Sequence, residues 1–322
     1  MVRFAAQFCS MLNRRLIRIK TFQALFGEFG LEDSKPSTIA NNVKKSMRGM
    51  GNNLLAVLSF GPELSHFISS EHNPSEFKYK PSDEDLKSFT LITENPFILN
   101  LTADPEMDGY LARPTFDWQQ ERDTMFLIFK EIKKSEAYTD AMNSALANED
   151  FFEFTKFVYK YLLLDSVEFE QLMEDKNIFW YDEKIPILKS LEKIFADYES
   201  TNQIKIPSLF RNETEDIQMA DDLVEKYFEN KSSLEESINQ YTPGWDSERI
   251  TKIDYLLMMM ALLEFKHMPM IPVKVTLNEY IEIAKMYSTP KSSKFLNGTL
   301  DKILNDWKDQ DLIHKKGRGL IG

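Results

Sequence analysis

Apolar positions recur at helical spacing along most of the chain. Over 12–26, Leu12, Leu16, Ile19, Gln23 and Phe26 share one face at 100° per residue, while Arg14, Arg15 and Arg18 gather on another side and Lys20 points elsewhere. Gly27 and Gly30 end that helix, and the loop Ser34-Lys35-Pro36-Ser37 leads to a helix cap. Residues 40–70 read as helix in pieces, with breaks expected at Gly49-Met50-Gly51 and at Gly61-Pro62. Residues 72–85 form a polar loop, and 90–101 would suit short strands as well as helix, with context favouring helix. A hinge or sub-boundary is expected over 104–114, ahead of a long helix over 117–135. Phe151, Phe154, Val158, Tyr161 and Leu162 then repeat as one helix face, and these aromatics are core residues rather than a ligand box. Helices continue over 167–174, 186–198 and 213–228.

The strongest helical pattern follows Trp245-Asp246-Ser247, where Asp246 or Ser247 can serve as the cap. Ile250, Ile253, Leu257 and Ala261 form a core face, but 255–263 is apolar nearly all round, which places this helix in the middle of its domain. Asp254 and Glu264 fall near that face, about 15 Å apart along the axis. That is too far for a glycosidase pair at roughly 5–9.5 Å, so they read as hydrogen-bonded structural acids or as partner contacts. Pro269 ends the helix, and Pro272 suits the first turn of the next, whose Val273, Leu277, Tyr280, Ile281 and Ala284 recur at helical spacing. After a loop over 288–292, the last helix buries Leu296, Leu300, Ile303, Leu304 and Trp307. Its other side carries Lys294, Phe295 and Gly298, with Lys291 just ahead in the loop. Positive charge beside an aromatic ring and an unobstructed backbone suits phosphate pairing and base stacking of single-stranded nucleic acid; the alternative is that Phe295 packs under a neighbouring helix.

Charge changes the picture. The net charge of −12 argues at first against nucleic acid, yet residues 1–26 carry +5, 27–244 carry −19 and 245–322 carry +2. Basic ends on an acidic middle suit a nucleic-acid surface, or solubility alone. Arginines in the first turns of a helix oppose its dipole at roughly 0.3–1 kcal/mol each, but sit beside backbone N–H groups without helical partners. The cluster is therefore either an anion site or a solvated basic face.

At 322 residues and 43% hydrophobic content, the chain has material for two domains or one large one. The single cysteine, Cys9, leaves no internal disulfide framework and points to a reducing, cytoplasmic setting. His66, His72, His267 and His314 share no metal-ligand spacing, and neither a Ser/His/Asp set nor a phosphate loop is present. No metal, cofactor or catalytic residue is expected, and no apolar run approaches the roughly 20 residues of a membrane span. The apolar patch over 4–9 is too brief for a signal peptide, and Met11 is a possible start.

Two stretches carry a resemblance. Arg14-Arg15-Leu16-Ile17-Arg18 with Gln23-Ala24-Leu25-Phe26 resembles the arginine-rich start and Gln-Ala-Leu-Tyr pattern of the NusB family of bacterial transcription antitermination factors. Pro272-Val273-Lys274-Val275-Thr276-Leu277-Asn278-Glu279, Glu282-Ile283-Ala284-Lys285 and 292–302, with Lys294-Phe295-Leu296-Asn297-Gly298, are similar to its C-terminal signature in order and spacing. The likeness to the common short form covers about 75 residues in two blocks, and 27–244 is similar only to a longer variant of the family.

The resemblance implies an all-α, NusB-like bundle of two subdomains with a large helical insertion. Its divisions would be an arginine-rich helix over 1–26, an acidic region over 27–244 completing the N-terminal subdomain, a C-terminal subdomain over 245–310 and a flexible basic tail over 311–322. It implies binding of boxA-like RNA by Arg14, Arg15, Arg18, Lys291, Lys294 and Phe295. It also implies a protein partner, the ribosomal protein NusE, met through Phe26 and Asp254, within a complex with RNA polymerase. Phe26 stands where the family usually has Tyr, so a contact there would be apolar. Lys291 stands where the short form often has an acid, which favours RNA. Two other readings remain: a scaffold that binds no RNA, and an enzyme, since a related helical domain precedes the catalytic domain of certain ribosomal RNA methyltransferases. The enzyme reading lacks a G-x-G-x-x-G motif and a downstream cysteine.

Overall fold

A computed structural model describes residues 10–28, 35–242 and 251–320, and among them every regular element is helical. The chain opens with α1 (Arg14–Gly27), capped by the Asn13 side chain, which accepts from the Leu16 amide at 2.9 Å. Next come α2 (Pro36–Leu58), α3 (Phe60–Glu71), α4 (Pro74–Phe77), α5 (Asp83–Thr93), α6 (Pro96–Thr102) and α7 (Pro105–Ala112). Asn73-Pro74, Asn95-Pro96 and Asp104-Pro105 each start a helix in the same way: the Asn or Asp oxygen accepts amide protons of the first turn, and Pro supplies a preset φ where no N–H is needed. The Pro/Gly-bearing stretch over 104–114 is thus mostly helix α7 rather than a hinge. The chain continues through α8 (Arg122–Ile132), α9 (Glu136–Asn143), α10 (Asn148–Leu164), α11 (Val167–Lys176) and α12 (Trp180–Thr201). It ends with α13 (Glu213–Tyr241), α14 (Lys252–His267), α15 (Val273–Tyr287), α16 (Pro290–Asp309) and a 3₁₀ turn, Gly317–Leu320. No helix of the described residues is long and apolar enough to cross a membrane.

One expected break is absent, and the other falls two residues early, at Ser59 between α2 and α3. Gly49 and Gly51 lie inside α2, because Val43, Met47, Met50, Leu54 and Val57 make a continuous buried stripe on that helix. Its burial outweighs a propensity cost of about 1 kcal/mol per glycine. Gly61-Pro62 lies in the first turn of α3, where proline costs no hydrogen bond. Gly61 is required there: a Cβ would stand 2.3 Å from Ile98 Cδ1 and 2.6 Å from the Tyr159 hydroxyl. The expected caps Asp246 and Ser247, with Ile250, lie outside the described residues, as do Gly30, Ser34 and Cys9; Thr251 caps α14 instead, accepting from the Asp254 amide at 3.1 Å.

The described residues form two compact units. One holds 10–11 and 48–209. In it α10 packs against α6, α9, α11 and α12, and α3 against α5, α6 and α8. The last carbonyls of α2 are satisfied within this core, Ala56 by the Trp118 indole at 3.0 Å and Leu58 by the Tyr159 hydroxyl at 2.6 Å.

The other unit holds 12–28, 35–47, 210–242 and 251–320. Here α14 is the axle, packed against α1, α13, α15 and α16; of the run expected to be buried all round, 255–263, every residue but the half-buried Tyr255 is buried, as are Glu264 and Phe265. This unit does not follow the division at 245. α13 lays Met219, Ala220, Leu223, Val224, Tyr227, Leu234 and Ile238 into the core and packs along α1 and α14, so 210–242 belong with the C-terminal helices. On α16, Leu296, Leu300, Ile303, Leu304 and Trp307 are buried as the pattern predicts.

Candidate nucleic-acid interface

From its third residue α1 is embedded on most sides: Leu16, Ile17, Arg18, Ile19, Lys20, Thr21, Phe22 and Leu25 are all buried. The apolar stripe is therefore wider than the spacing of Leu12, Leu16 and Ile19 suggests. Only the head, with Arg14 and Arg15, and the foot, with Phe26, reach solvent.

Arg18 does not belong to the basic face. It is 1% exposed, and its Nε and Nη2 donate to the two carboxylate oxygens of Glu264 at 2.6 and 2.8 Å. Glu264, fully buried, also accepts from Thr276 Oγ1 at 2.9 Å and from the Tyr280 hydroxyl at 2.8 Å. Burial by itself would lower the pKa of Arg18, but the charge and hydrogen bonds of Glu264 outweigh it and raise it. The arginine expected on RNA is instead a core ion that ties α1 to α14 and α15. Of the two readings of Glu264, the hydrogen-bonded structural acid is the one seen.

Arg15 is 39% exposed and held in a bidentate pair by Glu279, at 2.6 and 3.1 Å. Arg14 is exposed, with no carboxylate at ion-pair distance among the described residues. Eight residues down the helix, Gln23 Nε2 donates to the Tyr287 hydroxyl at 3.1 Å, and the Phe22 and Tyr287 rings lie 5.3 Å apart. Arg15–Glu279 and Gln23–Tyr287 share one register, so α1 and α15 run in the same direction, and along the axis Arg15 is about 12 Å from Gln23 and about 17 Å from Phe26 at the foot.

The other predicted cluster follows from that register. α16 starts just past Tyr287, capped by Thr289, and Lys291 lies in its first turn rather than in a loop. Lys291, Lys294 and Gly298 are exposed and Phe295 half-buried, on one face of the helix. Two lysines with no acid in the first turn make that terminus a local anion attractor. It lies at the foot of α1, however, with Glu279 and Glu282 on α15 between the two basic ends. Glu279 is held by Arg15 and Glu282 by Lys285 at 2.6 Å.

Of the two expected protein-contact residues, Phe26 is 38% exposed and leans on Phe22 at 5.8 Å. Asp254 is 3% exposed, and its Oδ1 has no hydrogen-bond donor among the described residues. It faces the interior of its unit because it shares the helix face of Leu257, Met258 and Ala261, all buried.

Sequence reasoning missed Arg318. It lines the same groove as Asn13, Arg14, Arg15 and Glu279, a concavity of about 650 Å³ floored by Met270, Ile271, Pro272 and Val275. The run Lys315-Lys316-Gly317-Arg318-Gly319 is visibly basic, but its docking is not the flexible tail expected over 311–322. Lys315 Nζ donates to the carbonyls of Glu264 at 2.8 Å and Met268 at 3.0 Å, and the Lys316 amide to Pro269 at 2.9 Å. These bonds satisfy carbonyls at the end of α14.

Burial pushes the Lys315 ammonium down to about 8. Between pH 8 and about 10.4 the unfolded chain then binds the extra proton, so raising pH favours the folded form. The urea midpoint of the wild type should gain on that of Lys315→Met from pH 7 to 9.5, and parallel curves would refute this docking.

Comparison with known sequences bears on what this face is for. The profile of the NusB family matches residues 186–305. The "Transcription antitermination protein NusB" of Salinibacter ruber is 37% identical over 135 residues, which is 42% of this chain and 76% of that protein. The chain belongs to the NusB family. Proteins of the same name from Chloroherpeton thalassium and Methylacidiphilum infernorum are 40% identical over 99 residues and 41% identical over 78. Those matches cover 31% and 24% of this chain and about half of each relative, 47% and 54%. No solved structure matches. The NusB profile begins inside the region expected to be its insertion and leaves α1, with Arg14 and Arg15, outside the matched residues.

Proposed function

We propose that this chain is a transcription antitermination factor whose second unit binds boxA-like single-stranded RNA together with the ribosomal protein NusE, in a complex with RNA polymerase that keeps ribosomal RNA transcription processive. The observation that carries the reading is the exposed arginine head of α1 in a chain whose relatives bear the antitermination name. Arg14 and Arg15 supply phosphate contacts at one end of the α1–α15 pair. Lys291 and Lys294 supply them at the other, and Phe295 offers a ring edge for a base. Phe26, at the foot of α1, is the apolar contact offered to NusE. No chemistry is asked of the site; its work is to hold RNA and protein in register.

The test is RNA affinity across a salt series. A labelled single-stranded leader RNA should bind the wild type with log K falling as log salt rises, by about 0.7 per phosphate contacted. Arg14→Ala with Arg15→Ala, and separately Lys291→Ala with Lys294→Ala, should each weaken binding by about tenfold and flatten the slope by one to two phosphates. Arg18→Ala is left out of that pair because its effect would come through stability. Unchanged affinity in both double variants would sink the proposal.

A further inference from the structure

The docked segment over 315–320 is built around one side chain. Gly317 has a φ of +52°, which only glycine adopts freely, and a Cβ there would meet Met270 Cε at 2.9 Å. At Gly319 a Cβ would stand 2.0 Å from the carbonyl oxygen of Pro269, a contact no other residue can make without moving the backbone. Lys315 and the Lys316 amide pin the same segment to the end of α14. Between the two constrained glycines stands Arg318, exposed and without a carboxylate at ion-pair distance among the described residues.

Arg318 and Arg14 both line two neighbouring grooves. The groove on the α13 side is lined by Glu215 and Asp222 as well as by both arginines. The groove on the α15 side has one carboxylate, Glu279, whose charge Arg15 already neutralises. A polyanion is turned away from the first and drawn to the second. The second also has an apolar floor, with Met270 51% and Val275 42% exposed, on which a sugar or base can lie.

We infer that the segment Lys315–Gly319 is part of the RNA site: Arg318 and Arg14 together clamp one phosphodiester at the mouth of the α15-side groove, and the strand leaves along α15. This rests on the reading that the arginine head of α1 binds RNA, and it adds a contact from a segment beyond the residues the NusB profile matches.

The experiment uses the full chain and the same labelled single-stranded RNA. Arg318→Ala should weaken binding about three- to tenfold and flatten the salt slope by about one phosphate contact, with an unchanged circular dichroism spectrum. Arg318→Lys should restore part of the affinity and most of the slope, because the charge remains while the planar fork is lost. Gly319→Ala keeps the arginine but must push the segment off Pro269, so it should reproduce the loss seen in Arg318→Ala. If Arg14→Ala weakens binding while both Arg318→Ala and Gly319→Ala bind like the wild type with the same slope, the clamp is wrong and the α1 head binds alone. If the wild type binds no RNA at any salt, the reading beneath it fails and takes the clamp with it.

Discussion

Replacing Glu264 with alanine should destabilise the second unit by about 3–5 kcal/mol, because it leaves a buried guanidinium with no counter-ion. Arg18 starts on the embedded part of α1 and is 1% exposed, so its charge is held away from solvent. The substitution also strands the hydroxyls of Thr276 and Tyr280, both fully buried and both donating to the lost carboxylate. In the wild type the Tyr280 pKa is raised well above its usual value, first by burial and then by this carboxylate. Glu264→Gln should fall between wild type and alanine, as its carbonyl can still accept from one donor. The double variant Arg18→Met with Glu264→Gln should recover most of the loss by removing the unpaired charge. Urea unfolding followed by circular dichroism decides the matter. A loss below about 1 kcal/mol in Glu264→Ala would mean that the pair is not the tie among α1, α14 and α15 that its geometry describes.

That pair also shows where the sequence is legible and where it is not. The all-round apolarity of α14, the buried face of α16 and the phenylalanine face of α10 follow from spacing alone, because each is a local pattern imposed by one helix. The glycines of α2 mislead because propensity is a weak local term overruled by a buried stripe, whereas Gly61-Pro62 marks the break between α2 and α3 to within two residues. Arg14, Arg15 and Arg18 look equivalent in sequence. They part company only through their partners, no carboxylate for Arg14 among the described residues, Glu279 for Arg15 and the buried Glu264 for Arg18, and those two acids lie more than 240 residues away in the chain. Asp254 reads in the sequence either as a structural acid or as a partner contact, and its burial appears only when the rest of the unit closes around α14. Arg318 was hidden for a related reason. Its segment has no helical period, and what fixes it is a set of carbonyls at the end of α14 that no linear pattern announces.

Phe97→Ala should cost the first unit about 3–5 kcal/mol, the range for removing a buried aromatic ring whose site cannot collapse. Phe97 is 1% exposed, and its ring lies 4.9 Å from that of Tyr198, 5.4 Å from Phe195, 6.2 Å from Phe152 and 6.3 Å from Tyr159. It thus joins α6 to α10 and α12 through rings that are themselves buried. Collapse into the void is opposed at both ends. Asn95 fixes the start of α6 by accepting from the Phe97 amide and donating to Thr155 Oγ1 at 2.9 Å, and the Tyr159 hydroxyl is held by the Leu58 carbonyl. The surrounding side chains therefore cannot slide inward without breaking a buried hydrogen bond, and most of the cavity should persist. Phe97→Leu keeps much of the volume and loses the ring-edge geometry, so its cost should stay below that of alanine by about 1–2 kcal/mol. Amide exchange gives the test its location: protection in α6, α10 and α12 should fall by the same free energy as the global loss. A cost below about 1 kcal/mol for Phe97→Ala would show that the aromatic cluster repacks, and that the two hydrogen bonds do not hold its walls apart.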